Sequence, residues 1–75
     1  MFVTVKNVLV VELQVNADDV TADAELSSDL GINSIELADL VMLCEEKYNL
    51  EISDDDIHKF VTVGDVVTYL EGHAN

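Results

Sequence analysis

Residues 29–52 read DLGINSIELADLVMLCEEKYNLEI, and this stretch decides the fold. Its first residues are typical of a turn, but from Ser34 to Tyr48 the apolar side chains recur at helical spacing. On a helical wheel, five of them fall within one sector of about 100°, as they do on the buried face of an amphipathic helix. This predicted stripe consists of Leu37, Leu40, Val41, Cys44 and Tyr48. The sequence therefore predicts a helix over residues 34–48 that packs one face against a core.

The opposite face of the same helix carries two large apolar side chains, Ile35 and Met42, with carboxylates around them. These acidic residues are Glu36, Asp39, Glu45 and Glu46. Single exposed apolar side chains are ordinary on protein surfaces, so a merely solvated face is one interpretation. An apolar centre with a charged rim is also the form of a surface that binds a partner. The residues alone leave both interpretations open.

A serine, Ser34, stands at the first position of this predicted helix. Asn33 is a favourable N-cap, and Glu36 follows it by three residues, so these two can share the capping hydrogen bonds. The Ser34 hydroxyl then has no backbone group to satisfy and can point outward. A phosphate ester at this position would meet the unpaired N–H groups and the positive end of the helix dipole. A serine at a helix start is, however, most often local structure alone.

The segments before this helix are less regular. Residues 2–15 contain several β-favouring valines, and FVTVK alternates as a strand does, whereas Val5, Val8 and Leu9 fit a helical stripe. A hairpin and a helix are both compatible with the pattern. Residues 16–33 predict a long loop anchored in the core by four apolar side chains, Val20, Leu26, Leu30 and Ile32.

Two further helices are predicted after residue 52. Ser53 fits the N-cap of a short helix that begins with three aspartates and places Ile57 and Phe60 at a spacing of three. Thr62 and Asp65 have the form of a capping box, and the last helix follows it and ends at Gly72. Its apolar stripe consists of Val63, Val66, Val67 and Leu70. The total is three main helices and one short helix, all-α if the first segment is helical.

Composition limits the possible functions. The 75 residues predict one domain, residues 1–75, which is too small for a large active site. Sixteen acidic against three basic residues give a formal net charge of −13, which disfavours nucleic acid and anionic membranes and favours a basic protein partner. One cysteine, no signal peptide and no long apolar segment together favour a reducing cytoplasm.

No catalytic or metal-binding constellation is evident. The two histidines, His58 in the short helix and His73 in the tail, are predicted to be exposed and have no partner for acid–base catalysis. Cys44 lies on the buried stripe and is interpreted as a core residue. The aspartates at 54–56 lack the glycine and the glutamate of an EF-hand loop, so no metal site is predicted. The protein is therefore not expected to be an enzyme.

Three runs of the chain together resemble the acyl carrier protein family. They are DLGINSIEL at residues 29–37, LVMLCEEKYNLEIS after it, and TVGDVVTYLEGH near the end. The resemblance extends from about Val5 to His73 and is most specific around Ser34. It implies a right-handed bundle of three main helices plus one short helix, and so makes the first segment a helix.

The resemblance also implies a function. Ser34 would be esterified with 4'-phosphopantetheine by a phosphopantetheinyl transferase, and acyl groups would be carried as thioesters on the thiol of that arm. Acyl-loading, condensing and acyl-modifying enzymes with basic patches would be the other partners. Their docking surface would consist of Ile35, Glu36, Asp39, Met42, Glu45 and Glu46.

The chain departs from the family pattern at a few positions. Asn33 replaces the usual aspartate, Ile35 the commoner leucine and Ser53 a common proline. Ile57 and Val66 stand where small residues often border the acyl cavity, which predicts a smaller cavity and a short or polar cargo. Three functions remain: a carrier in fatty acid, polyketide or related specialised biosynthesis; an aminoacyl or peptidyl carrier loaded by an adenylating ligase; and an unmodified acidic protein-interaction module.

Overall fold

The structure is a computed structural model that describes residues 1–73. This part of the chain contains four helices and one 3-10 turn. The helices are α1 (Phe2–Val11), α2 (Ser34–Tyr48), α3 (Asp54–Ile57) and α4 (Val63–His73), and the 3-10 turn is Ala17–Asp19. Residues 1–73 contain no strand, only a single antiparallel bridge between Glu25 and Thr62. The all-α prediction is confirmed. No helix in this range has the length and apolar character needed to cross a membrane.

The first segment is a helix, so the hairpin interpretation is wrong. Val5, Val8 and Leu9 are buried, and α1 packs against both α2 and α4. Burial on one face of the helix outweighs the β preference of its valines, since tertiary packing commonly overrides propensity. The remaining apolar residues are less covered: the side chains of Val3 and Val11 are 67% and 69% exposed.

The long loop before α2 is held by its backbone as well as by its side chains. Val20, Leu26 and Ile32 are buried and Leu30 is half-buried, which confirms them as anchors. In addition, the N–H of Leu26 donates to the carbonyl of Val61 at 2.8 Å, and the N–H of Gly64 donates to that of Ala22 at 2.9 Å. A Cβ atom at Gly64 would lie 2.9 Å from the Ala22 oxygen, so this close approach requires glycine. The loop is thereby fixed against the start of α4.

The predicted caps of α3 and α4 are confirmed. Ser53 Oγ accepts from the N–H of Asp56 at 3.2 Å. At α4, Thr62 Oγ1 accepts from the N–H of Asp65, and Asp65 Oδ2 accepts from that of Thr62, both at 3.1 Å. Three of the four stripe residues of α4 are fully buried, and Val67 is half-buried.

The ends of α3 and α4 differ from the prediction. His58 follows α3 as its C-cap and does not lie within it. Helix α4 continues through Gly72, which keeps a negative φ, to His73. The His73 ring stacks on Tyr69 with centroids 4.0 Å apart, and its Nδ1 lies 2.8 Å from the Tyr69 carbonyl oxygen. This contact across one turn stabilises the extension, so His73 belongs to the helix and not to a tail.

Tyr69 also joins α4 to α3. Its hydroxyl donates to Asp56 Oδ2 at 3.0 Å, and its ring packs edge-on against Phe60 at a centroid distance of 5.5 Å. The hydrogen bond from Tyr69 is the main cause that lowers the pKa of Asp56, with the bond to Ser53 second. A lowered carboxyl pKa stabilises the fold above the ordinary aspartate value, 3.8, and that contribution is lost as the pH falls through the lower native pKa.

Replacing Tyr69 with phenylalanine tests this junction. Tyr69→Phe keeps the ring contacts but removes the hydroxyl, so we expect the pKa of Asp56 to rise towards 3.8. Carboxyl carbon shifts measured by NMR across an acid titration follow each aspartate separately. Asp65, whose pKa is lowered mainly by the backbone N–H of Thr62, is the internal control and should not move. An unchanged titration of Asp56 would contradict the assignment.

Candidate carrier site at the start of α2

The hydroxyl of Ser34 lies at the first residue of α2, and the side chain is exposed. The capping hydrogen bonds belong to its neighbours: Asn33 Oδ1 accepts from the N–H of Glu36 at 2.8 Å, and Glu36 Oε1 accepts from the N–H of Asn33 at 3.3 Å. This reciprocal capping box confirms the sequence prediction for Asn33 and Glu36. Ser34 takes part in neither bond, so its oxygen is accessible for modification.

The surroundings of Ser34 suit a phosphate ester. The first hydrogen bond of the helix runs from the N–H of Leu37 to the carbonyl of Asn33. The N–H groups of Ser34 and Ile35 come before it and so belong to the helix start, where backbone donors have no partner within the helix. Such groups, with the positive end of the helix dipole, favour a bound anion. The first carboxylate after Ser34 in the chain, that of Glu36, already accepts a backbone N–H. The residues present therefore fit a covalently attached 4'-phosphopantetheine.

The outer face of α2 has the exposure that the wheel predicted. The side chains of Ile35 and Met42 are 75% and 52% exposed. Asp39 and Glu46 are exposed beside them, whereas Glu36 and Glu45 are half-buried. We call the six residues together the α2 outer face: Ile35, Glu36, Asp39, Met42, Glu45 and Glu46. Its role in docking remains a prediction.

Glu45 has a structural role that the sequence did not reveal. Its Oε2 accepts from the N–H of Ile52 at 2.8 Å, which ties the connection after α2 back to the helix. Asn49 ends the helix in a left-handed conformation, with φ 53°, and so turns the chain towards this contact. The bond spans seven residues and a helix end, so no local motif signals it. Of the four acids on the α2 outer face, Glu36 and Glu45 support the fold, while Asp39 and Glu46 make no hydrogen bond described within residues 1–73.

Alanine substitutions at 45 and 46 separate the structural from the electrostatic contribution. Both changes remove one negative charge from the same helix turn. We expect Glu45→Ala to lower the free energy of unfolding by about 1 to 2 kcal/mol, because it leaves the Ile52 N–H without its partner. The free energy of unfolding of Glu46→Ala should stay within about 0.5 kcal/mol of that of the parent protein. Urea unfolding followed by circular dichroism measures both, and equal losses would contradict the role of the Glu45 bond.

Cys44 is a core residue, as predicted. Its side chain is 1% exposed, and burial raises the pKa of the thiol to about 11. The reactive thiolate is therefore scarce at neutral pH and shielded by the core.

Alkylation tests the burial of Cys44. At pH 8 we expect iodoacetamide to modify the thiol at least about a hundredfold more slowly in native protein than in urea, because reaction requires unfolding. Intact mass against time gives both rates. The raised pKa also implies that the fold loses stability as the pH rises from the ordinary thiol value, 9.0, through about 11. Rapid native labelling would contradict the burial.

The described residues show no candidate metal site. Within residues 1–73, no group of three or more histidine, cysteine or acidic side chains is placed to hold a metal ion. His58 and His73 are both exposed, as predicted. Among the aspartates of α3, Asp56 bonds to Tyr69 and lies 3.8 Å from Lys59 Nζ.

Comparison with known proteins agrees with this geometry. Residues 3–70 match the family model described as the phosphopantetheine attachment site. The match defines the class as proteins that carry covalently bound phosphopantetheine.

Several relatives give a more specific assignment. An acyl carrier protein of Wolinella succinogenes is 44% identical over 71 residues, which cover 95% of this chain and 93% of the relative. An acyl carrier protein of Helicobacter pylori strain J99 is also 44% identical over 71 residues, which cover 95% of this chain and 91% of the relative. One of Clostridium perfringens strain SM101 is 40% identical over 74 residues, and covers 99% and 97%. The chain therefore belongs to the acyl carrier protein family, whose members are carriers and not enzymes.

Proposed function

We propose that Ser34 carries the 4'-phosphopantetheine arm and that the protein presents acyl intermediates to the enzymes of fatty acid, polyketide or related specialised biosynthesis. The observation that supports this proposal is the exposed Ser34 hydroxyl at the start of a helix whose capping bonds are made by Asn33 and Glu36. The arm supplies a terminal thiol on which acyl groups are held as thioesters. Residues 1–75 act in this proposal as one carrier domain.

The protein contributes position and charge to this function. The first N–H groups of α2 offset the negative charge of the phosphodiester on Ser34. Because α2 is fixed by its buried residues Leu40, Val41 and Cys44, the attachment point has a defined place beside the α2 outer face. An enzyme that binds this face would therefore meet the attachment point of the arm at a reproducible position.

The α2 outer face is proposed as the docking surface. Its exposed carboxylates, Asp39 and Glu46, suit a basic patch on a phosphopantetheinyl transferase or on an acyl-loading, condensing or acyl-modifying enzyme. Ile35 and Met42 supply the apolar centre. Electrostatic attraction raises the rate of encounter while the complex stays weak enough to dissociate, as a shuttle between enzymes requires. We place this exchange in the cytoplasm.

The cargo is proposed to be short or polar. Val66 is 1% exposed and Ile57 is half-buried, so both side chains fill space in the bundle. The four surface depressions described, with volumes of about 220 to 420 Å³, are lined by neither residue. Nuclear Overhauser contacts between a loaded acyl group and the side chains of Ile57 and Val66 test the proposal. We expect a long saturated acyl group to show few such contacts, and its extensive burial in the bundle would contradict the proposal.

Intact mass spectrometry tests the attachment. The protein is incubated with coenzyme A and a broad-specificity phosphopantetheinyl transferase, and a gain of one phosphopantetheine is expected, mapped to Ser34 by peptide fragmentation. No gain would favour an unmodified interaction module. Loading by acyl donors and refusal by amino-acid-activating ligases is expected next, whereas the reverse result would indicate an aminoacyl or peptidyl carrier.

A further inference from the structure

An open groove adjoins the α2 outer face on the side of α1. Its volume is about 220 Å³, and five residues line it: Glu12, Leu13, Asp39, Met42 and Leu43. Asp39, Met42 and Leu43 stand at i, i+3 and i+4 on α2, so they form one ridge along the helix. The other two come from the turn that follows α1. The groove therefore combines an apolar floor with one carboxylate from each wall.

The turn after α1 holds its side of the groove in place. The N–H of Glu12 donates to the carbonyl of Val8 at 2.9 Å, and the N–H of Val15 donates to that of Leu9 at 3.0 Å. Gln14 between them adopts a left-handed conformation, with φ 57°. Leu13 is half-buried and packs against the core. Glu12 and Leu13 are thus fixed relative to α2, and the groove exists before any partner binds.

The two carboxylates of the groove are not engaged by the fold. The side-chain hydrogen bonds described within residues 1–73 use neither Glu12 nor Asp39 as an acceptor. In the same range the one ion pair joins Lys59 and Asp56. Lys47 lines a neighbouring depression together with Glu12, but the two form no ion pair there. Both acids remain available to a cation from outside.

We propose that this groove accepts an arginine side chain of a partner enzyme, so that the docking surface extends beyond α2 onto the turn after α1. The inference rests on the proposed docking function, with which the groove is continuous through Asp39 and Met42. An arginine has an apolar stem to lie on Leu13, Met42 and Leu43, and a guanidinium to bond the carboxylates of Glu12 and Asp39. Its planar, weakly hydrated fork suits two acceptors better than the compact ammonium of lysine.

A titration of the full, unmodified chain tests the chemistry of the groove. N-acetyl-arginine amide is added to isotope-labelled protein at constant ionic strength, with N-acetyl-lysine amide as the matched probe. We expect amide shift changes confined to residues 12–15 and 39–43, with arginine binding at least about threefold more tightly than lysine. Glu12→Gln and Asp39→Asn should each weaken arginine binding by about threefold, the size expected for one exposed ion pair. The control Glu71→Gln removes the same charge from an exposed position on α4 and should change nothing.

Enzyme kinetics then test whether a partner uses the groove. With an acyl-loading enzyme acting on the pantetheinylated chain, Glu12→Lys should raise KM roughly tenfold at constant kcat, since it opposes encounter and leaves the arm untouched. Glu71→Lys is the matched control. Equal KM values for these variants, diffuse shift changes, or equal affinity for the two amides would overturn the inference. None of these results bears on Ser34, because the proposed function fails separately if no phosphopantetheine is added.

Discussion

Ser34→Ala is expected to take up no phosphopantetheine at all while keeping its fold. The change removes the only atom proposed to form the ester bond, and the capping box at this helix end is built from Asn33 and Glu36. Because the serine side chain is exposed at the first helical position, its replacement by alanine should alter the free energy of unfolding by less than about 0.5 kcal/mol. Intact mass after treatment with transferase and coenzyme A, together with urea unfolding, measures both effects.

The sequence provides matched controls for this experiment. The chain has four serines, and Ser27 and Ser28 are exposed in the loop before α2. Ser28→Ala should gain one phosphopantetheine at the rate of the parent protein. Modification of Ser34→Ala, or loss of modification in Ser28→Ala, would mean that the attachment residue lies elsewhere.

Leu40→Ala is expected to cause the largest loss of stability among single alanine substitutions in α2. Leu40 is fully buried, and its truncation removes apolar contacts and leaves a cavity, at a typical cost of about 3 kcal/mol. The free energy of unfolding of a domain of this size is roughly 4 to 11 kcal/mol in total. The variant should therefore unfold at much lower urea concentration, and its rate of pantetheinylation should fall as unfolded chains accumulate. Circular dichroism in urea gives the free energy, and transferase assays give the rate.

Two variants of the same helix make this result specific. Leu40→Met keeps the side-chain volume and should cost less than about 1.5 kcal/mol. Ile35→Ala truncates a side chain that is 75% exposed and should change the free energy of unfolding by no more than about 0.5 kcal/mol. If Ile35→Ala proved as destabilising as Leu40→Ala, the assignment of buried and outer faces of α2 would be wrong.

Local signals explain why much of the fold was predictable from the sequence. The capping pairs Asn33–Glu36 and Thr62–Asp65 each span three residues, and both form as the pattern indicated. The wheel of α2 placed five residues on the buried side, of which Leu40, Val41 and Cys44 are buried and Leu37 and Tyr48 are half-buried. It placed Ile35 and Met42 in solvent, and both are exposed. The capping residues around Ser34 also indicated that its hydroxyl makes no capping bond, as the structure shows. Its role as the attachment residue came from the resemblance to the family and stays a prediction.

Non-local contacts explain what the sequence did not settle. The residues of α1 alone left a hairpin and a helix open, and burial against α2 and α4 decides between them. The Glu45–Ile52 bond and the backbone pairing of the loop with residues 61–64 join distant positions, so no local motif marks them. The end of α4 was misplaced because glycine commonly stops a helix, whereas here the stacking of His73 on Tyr69 carries the helix one residue further. The groove beside α2 was missed for the same reason, since its walls come from two separate segments.

The contact between Tyr69 and Asp56 allows the intrinsic fluorescence of the protein to report on the position of α3. The chain has no tryptophan and two tyrosines, so Tyr48 and Tyr69 dominate its ultraviolet fluorescence. In Tyr48→Phe the single remaining tyrosine would be Tyr69. Its hydroxyl bonds Asp56 of α3, and its ring packs against Phe60, which follows α3, and against His73 of α4 itself. Any loaded cargo that displaces the short helix would then change the tyrosine emission of the unlabelled protein.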